Sequence, residues 1–376
     1  MSPERALEVQ DLLLSTAAAG NPATANQALS LSVGGGESIT LLGLRDGGAP
    51  DLLDTIAGHL PAAAGRIRVD GRDVAALPPG DRRIGLISAR DPLFRHLTVR
   101  RNIGFPLRAR RVPEPERTHR VDQLLALLGL EADADRRPRD LSPARTVRAA
   151  LARALAADPA FILLDDPFAA LDPVSRRELH QVLRQLVSAR GLGLLLATSD
   201  REDALSLGGR IGILDRGRLR QLATAPELLD RPADETVATV FGGANSLTGQ
   251  VQDIEDDVAL VRLSAGPTVE AMAAEGLQAG MLCIVCIRPE RVAVAFLSGA
   301  PSASGDGQLG SDVLPATLSE TVHLGDHLRL RFRLAGGGEM VVHRPASQPT
   351  SQLKRDRPAE LAWQPSHAIA FPAPDM

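Results

Sequence analysis

Three observations predict an α/β protein with a largely parallel sheet, followed by a small β-rich domain. Short, fully apolar runs alternate with helical patterns over residues 39–214, as in a parallel sheet covered on both faces. One of these runs ends in a glycine-rich turn that opens a helix. Near residue 235 the helical patterns give way to short strands separated by turns. The expected domains are therefore 1–235 and 236–376, with a helical subdomain over about 90–150 of the first.

Each element follows from local pattern. Residues 6–75 alternate strand-like runs with Gly-rich turns. Residues 39–43 read as a strand, 51–60 as a helix, 66–71 as a strand and turn, and 84–88 as a short strand. Residues 98–130 turn helical, with 121–130 strongly apolar on one side, and 148–157 form an Ala-rich helix. Residues 161–165 are an apolar strand ending in an acid, and 192–198 and 211–214 are two more buried strands. In the C-terminal part, 258–263, 283–287, 328–334 and 340–343 read as strands. Residues 328–334 alternate apolar and basic side chains, as a half-exposed strand does. The Gly/Ser/Pro-rich stretch 298–311 is expected to be a flexible loop.

Composition narrows the function classes. The 376 residues carry a net charge of −4, which argues against nucleic-acid binding by bulk charge. No apolar run approaches the length of a membrane span, and residues 1–5 carry no signal-peptide pattern, so a cytoplasmic location is expected. Cys283 and Cys286 form a C-x-x-C, but on a strand an i, i+3 pair points to opposite faces. A structural role is expected for both, rather than redox or metal chemistry.

The strand ending at Gly43 and the helix after Gly48 have the frame of a phosphate-binding loop, G-x-x-x-x-G-K-[S/T]. Such a loop uses backbone N–H groups to cradle phosphates, a lysine to neutralise them and a hydroxyl to help hold Mg²⁺. Here Gly47 and Gly48 are present, but Ala49 stands at the lysine position and Pro50 at the hydroxyl position. Pro50 also removes an N–H from the cradle, although proline suits the first position of a helix. Asp51 can answer the helix dipole, and Asp46 would repel an anion, with Arg45 the nearby cation.

Several separated segments then resemble one family, the ATPase subunits of ABC transporters. The run Phe161-Ile-Leu-Leu-Asp165-Asp166-Pro167, continuing to Leu171-Asp172, resembles a Walker B strand and D-loop. Leu141-Ser142-Pro143-Ala144-Arg145 and the helix after it resemble the signature motif. Residues 91–107 resemble the segment after the Q-loop, and Thr198-Ser199-Asp200 stands where the switch motif belongs. Residues 241–247 and Ile287-Arg288-Pro289-Glu290 resemble the linker and I-R-P-E motif of the OB-like regulatory domain called TOBE. The resemblance implies a P-loop NTPase-like ABC ATPase domain with a helical subdomain and a C-terminal TOBE domain. It leans towards the spermidine/putrescine importers.

The resemblance also assigns positions. The signature glycines fall on Pro143 and Ala144, its glutamine on Arg145, and only Ser142 is kept. The Q-loop glutamine falls on Ala89, the switch histidine on Ser199, and the adenine-stacking aromatic near Ser15 or Thr16. Asp165 is kept as the Mg²⁺ aspartate, and the catalytic glutamate is shortened to Asp166. Mg-ATP is the family's cofactor, and weak or absent binding is expected here. The implied partners are membrane permease subunits, a second copy or another ABC ATPase in a dimer, and indirectly a periplasmic solute-binding protein. In such dimers each ATP site joins the Walker motifs of one subunit to the signature of the other. The expected role is a structural or regulatory pseudo-ATPase, peripheral on the inner face of the membrane. The alternative is a subunit that powers import beside a competent partner ATPase. The segment at 93–103, with Asn102, is expected to lead into a subdomain that docks on the permease.

Overall fold

The computed structural model describes residues 5–14, 28–43, 48–88, 92–264, 266–297, 313–347 and 353–373. The chain divides into two compact units, Met1–Glu227 and Leu228–Met376.

The first unit holds, in chain order, β1 (Ala6–Leu14), β2 (Leu29–Gly34), β3 (Ser38–Gly43), β4 (Ala62–Val69) and β5 (Arg72–Asp73). It continues with β6 (Ile84–Ile87), β7 (Phe161–Asp165), β8 (Gly193–Thr198), β9 (Arg210–Asp215) and β10 (Arg218–Thr224). Its helices are α1 (Ala49–Ala57), α2 (Val99–Ala109), α3 (Glu114–Leu127), α4 (Pro143–Ala156), α5 (Pro173–Arg190) and α6 (Arg201–Leu207). A six-stranded sheet runs β10-β9-β3-β8-β7-β6, parallel throughout except for the β9–β10 hairpin. A separate four-stranded antiparallel sheet, β2-β1-β4-β5, covers the N-terminal strands. The local pattern in residues 6–75 suggested strands but not this division, because sheet membership depends on pairing between distant segments.

The central strands are buried on both faces, which is why they read as unbroken apolar runs. Phe161 and Leu163 of β7 pack with α1 residues Leu52, Leu53 and Ile56 and with the antiparallel sheet. Ile162 and Leu164, one step along, face the opposite core, which includes the helical layer. In that layer Val99, Ile103 and Leu107 repeat every four residues along α2 and meet Val121, Leu124 and Leu125 of α3. The Ala-rich helix is longer than its apolar pattern suggests, starting at Pro143 because Ser142 caps it. Among the described residues no helix is long and apolar enough to cross a membrane.

The second unit begins within α7 (Ala225–Asp230), followed by α8 (Glu235–Val240), whose N-terminus Asp234 caps through Val237 N–H at 2.9 Å. Strands β11 (Asn245–Glu255), β12 (Val258–Leu263), β13 (Thr268–Ala273), β14 (Leu282–Ile287) and β20 (Ala368–Pro372) close a barrel. A five-stranded sheet adds β15 (Ala293–Phe296), β16 (Leu314–His323), β17 (His327–Leu334), β18 (Glu339–Pro345) and β19 (Pro358–Ala362). On β17 the alternation holds: Leu328, Leu330, Phe332 and Leu334 are buried while the arginines between them lie outside the core. Cys283 and Cys286 are free, buried and in different core clusters, as expected for an i, i+3 pair on a strand. Burial pushes their thiols up, to about 11 and about 12, so neither is a ready nucleophile. The stretch 298–311 lies outside the described residues.

Candidate functional site

The loop between β3 and α1 leads to a helix whose two ends are held differently. At the start, Gly48 is the N-cap with φ 78°, a left-handed conformation that glycine adopts without a Cβ penalty, and no side chain caps it. Its carbonyl accepts the Leu52 N–H at 3.0 Å. Ala49 is the first helical residue and is buried in the core, so Pro50 falls second rather than first. At the far end Gly58 is also left-handed, with φ 92°, and the buried Arg82 guanidinium folds over it. Arg82 Nη1 donates to the Thr55 and Ile56 carbonyls at 2.9 Å each, Nη2 to Ala75 at 2.7 Å and Nε to Leu77 at 2.9 Å. A Cβ on Gly58 would lie 2.5 Å from Arg82 Nε, so the close approach needs glycine there.

Gly43, Ala49, Pro50, Asp165, Asp166 and Ser199 come together around a cleft of about 180 Å³, with Ala197 and Thr198 completing its wall. The parallel register causes this. Strands β3, β7 and β8 are neighbours in one sheet, and their C-terminal ends open on the same edge. Asp165 accepts a hydrogen bond from Ser88 Oγ at 3.2 Å, joining the end of β6 to the end of β7. Asp166 has φ 43°, and its N–H donates to the Ala197 carbonyl at 2.9 Å. Partial burial and the carboxylates of Asp203 and Asp165 push the Asp166 carboxyl above its ordinary range, against the opposing pull of Arg176.

Behind the cleft lies a polar network that sequence reasoning missed. Asp200 caps α6, accepting from Glu202 N–H at 2.7 Å, and takes the Arg176 guanidinium at 2.6 Å. Partial burial works against ionisation of Asp200, but Arg176 and the cap N–H groups hold its carboxyl below the usual range. His180 Nε2 lies 3.1 Å from Asp203 Oδ1, both buried, and the His180 ring meets Phe168 edge-on at 4.5 Å. Arg176 also donates to the Phe168 carbonyl at 3.4 Å, so residues after Asp166 and residues after Ser199 share one support. A signal was present: His180, Leu183 and Val187 share one apolar helical face, an unusual place for a histidine.

The signature-like segment is not part of the cleft wall. Ser142 accepts the Arg145 N–H at 3.4 Å as the cap of α4. The Arg145 side chain turns back on the helical layer, pairing with the buried Asp133 at 3.3 Å and donating to the Gly129 carbonyl. Asp133 is also held by Arg136 at 2.9 Å. Asp172 caps α5, accepting from Val174 and Ser175 N–H at 3.0 Å each. The Ser175 hydroxyl adds a bond at 2.6 Å and lowers the Asp172 carboxyl. Gly47, Ala89, Ser15, Thr16, Arg45 and Asp46 lie outside the described residues.

The segment before α2 is tied by one fully buried side chain, Asn102. Its Oδ1 accepts from Phe94 N–H at 2.8 Å. Its Nδ2 faces the carbonyls of Phe94 at 3.2 Å, Leu97 at 3.3 Å and Thr98 at 3.0 Å. The loop so fixed presents Phe94 against Phe105, ring centroids 4.5 Å apart, with Phe105 itself 45% exposed.

A parallel sheet with a cleft at its strand ends, a helical layer and a barrelled C-terminal unit define an ABC-type cassette followed by a β domain. Comparison agrees: residues 26–169 match the ABC transporter family and residues 285–371 the TOBE domain family. The chain belongs to the ATP-binding subunits of ABC importers, as its similarity to curated relatives over nearly its whole length shows. It is 33% identical to the spermidine/putrescine import ATP-binding protein PotA of Rubrobacter xylanophilus, covering 92% of this chain and 89% of that protein. It is 36% identical to the sulfate/thiosulfate import ATP-binding protein CysA of Xanthomonas campestris, covering 93% and 96%. Among solved structures, a dimeric bacterial ABC transporter cassette shares the fold, with a TM-score of 0.52 and 24% identity. That likeness covers 58% of this chain and 98% of that one.

Proposed function

We propose that this chain is a structural or regulatory cassette subunit of an importer, one that binds Mg-ATP weakly or not at all. The observation that carries the reading is the charge of the cleft. Its described wall offers two carboxylates, Asp165 and Asp166, and no cationic side chain. A polyphosphate entering there meets a negative field, the same field that helps raise the Asp166 carboxyl. Ala49 has no ammonium group and Pro50 has neither hydroxyl nor N–H, so the donor set of the described wall does not match a magnesium nucleotide. Each charge-assisted phosphate contact is worth roughly 1.5–3 kcal/mol. Losing three or four removes about 5–10 kcal/mol, against a total of about 8 kcal/mol for micromolar binding.

The proposed division is 1–235 for the cassette and 236–376 for the linker and TOBE region, with the helical subdomain over about 90–150. Peripheral attachment to a permease at the inner face of the membrane fits the loop that Asn102 holds in place. A polyamine or a sulfate-type oxyanion is the solute class suggested by the relatives. A second reading, import powered beside a competent partner ATPase, is favoured by the retained Asp165 and by Asp172 at the α5 cap. Calorimetric titration of the purified chain with Mg-ATP, alone and with a candidate permease, separates the two. No heat of binding at micromolar nucleotide is expected, and micromolar affinity would overturn the pseudo-ATPase reading.

A further inference from the structure

The second unit contains a cavity of about 370 Å³, within the usual size range of small-molecule sites. The turn after β14 sends Arg288 and Arg291 to its rim, and His367 joins them from the segment before β20. The wall beneath is apolar: Leu228, Ala238, Ala244 and Ile369, with the buried Cys286 among them. Burial pushes that thiol up to about 12, so it stays neutral and adds a polarisable surface rather than a charge.

One of the two guanidinium groups, that of Arg291, is under-compensated. The polar side-chain neighbour of the Arg291 guanidinium is the His367 ring, Nη1 to Nε2 at 3.5 Å, and no described carboxylate pairs with Arg291. Arg288 reaches Asp230 and Glu290 only at 3.5 Å each, longer than good hydrogen bonds. A planar carboxylate beside this pair would accept from the Arg291 guanidinium, and guanidinium–carboxylate pairing is among the strongest contacts available to such an anion. The Asp230 carboxylate is 66% exposed at the rim and would disfavour a dianion.

We propose that this cavity binds a small organic monocarboxylate. The headgroup lies at Arg291 and His367, and the hydrocarbon body lies on Leu228, Ala238 and Ile369. The proposal concerns a site separate from the nucleotide cleft and does not depend on whether ATP binds.

The test is titration of the full-length chain with hexanoate by calorimetry, with hexanamide, hexylamine and sulfate as probes of matched shape or charge. Saturable hexanoate binding is expected, with each of the other three at least about tenfold weaker, the loss of one charge-assisted contact. Arg291→Met should reduce hexanoate affinity about tenfold to a hundredfold at an unchanged melting temperature, since the side chain is exposed. Ala244→Leu, which fills the wall without touching the cations, should weaken hexanoate and leave the response to sulfate unchanged. Absence of saturable binding overturns the proposal. So does equal binding of hexanamide or sulfate, or an Arg291→Met chain that binds hexanoate like the parent.

Discussion

The two ends of the nine-residue helix α1 have opposite chemistry. At the C-terminal end, the buried Arg82 gives two bonds to the Thr55 and Ile56 carbonyls of the last turn and two more to the Ala75 and Leu77 carbonyls. At the N-terminal end, where a helix offers N–H groups to an anion, there is a left-handed glycine without a side-chain cap, then an alanine and a proline. One end is held by a side chain from elsewhere in the protein. The other starts on a left-handed glycine that no side chain caps. The contrast teaches that the helix is anchored by its far end and by the core rather than by its start.

A similar contrast appears in the helical layer. Arg145, at the position the resemblance gives to the signature glutamine, is committed to Asp133 and Gly129. Asn102, by contrast, spends both ends of its amide on holding a loop.

Substitutions can break or sharpen this comparison. The largest effect is expected for Arg82→Met, which removes the buried guanidinium that bonds four carbonyls around the end of α1. Urea unfolding followed through the first unit should show a loss of about 3–4 kcal/mol. Asn102→Ala should follow at about 2–3 kcal/mol in the same measurement, and Asn102→Asp should be no better, since a carboxylate would face three carbonyls. Restoring the other end of the helix is a test in the opposite direction. The double variant Ala49→Lys with Pro50→Thr should raise Mg-ATP affinity about tenfold to a hundredfold by calorimetry. No gain would mean that the adenine and cross-dimer contacts limit binding instead.

The smallest effect concerns pH. The folded chain holds the Asp166 carboxyl above its ordinary range, so it favours the protonated form. The stability linked to this group is therefore full below the unfolded value and is lost as pH rises through the folded one. Asp166→Asn removes the charge and suits the positive φ. The variant should be more stable than the parent at neutral pH, by less than about 1 kcal/mol because the group is exposed. The difference should vanish on acidification through the carboxylate range, as thermal melts across pH would show.

Much of the scaffold was legible in the chain. β7 was read at its observed limits, because a short apolar run ending in acids has few other readings. The alternation on β17 was equally direct, whereas the helical stretch 98–130 divides into α2 and α3. The start of α4 was read too late, since its first turn is polar and the Ser142 cap, not apolarity, sets it. The site was legible as positions along the chain and not as contacts. The cleft gathers Gly43, Ala49, Pro50, Asp165, Asp166 and Ser199, while Ser142 lies outside its wall.

By itself the sequence determined the parallel α/β order, the strand-rich second unit and the side chains that stand in the phosphate-loop frame. These depend on local periodicity and on residue identity, which need no partner to be read. The tertiary structure alone decided that Arg145 turns to Asp133, that Arg82 closes α1 and that His180 meets Asp203 beneath the switch-like segment. Those pairings join residues from 12 to 27 positions apart, or 23 for the histidine. They are fixed by strand register and helix packing, where a buried charge must find whichever partner the fold brings within reach.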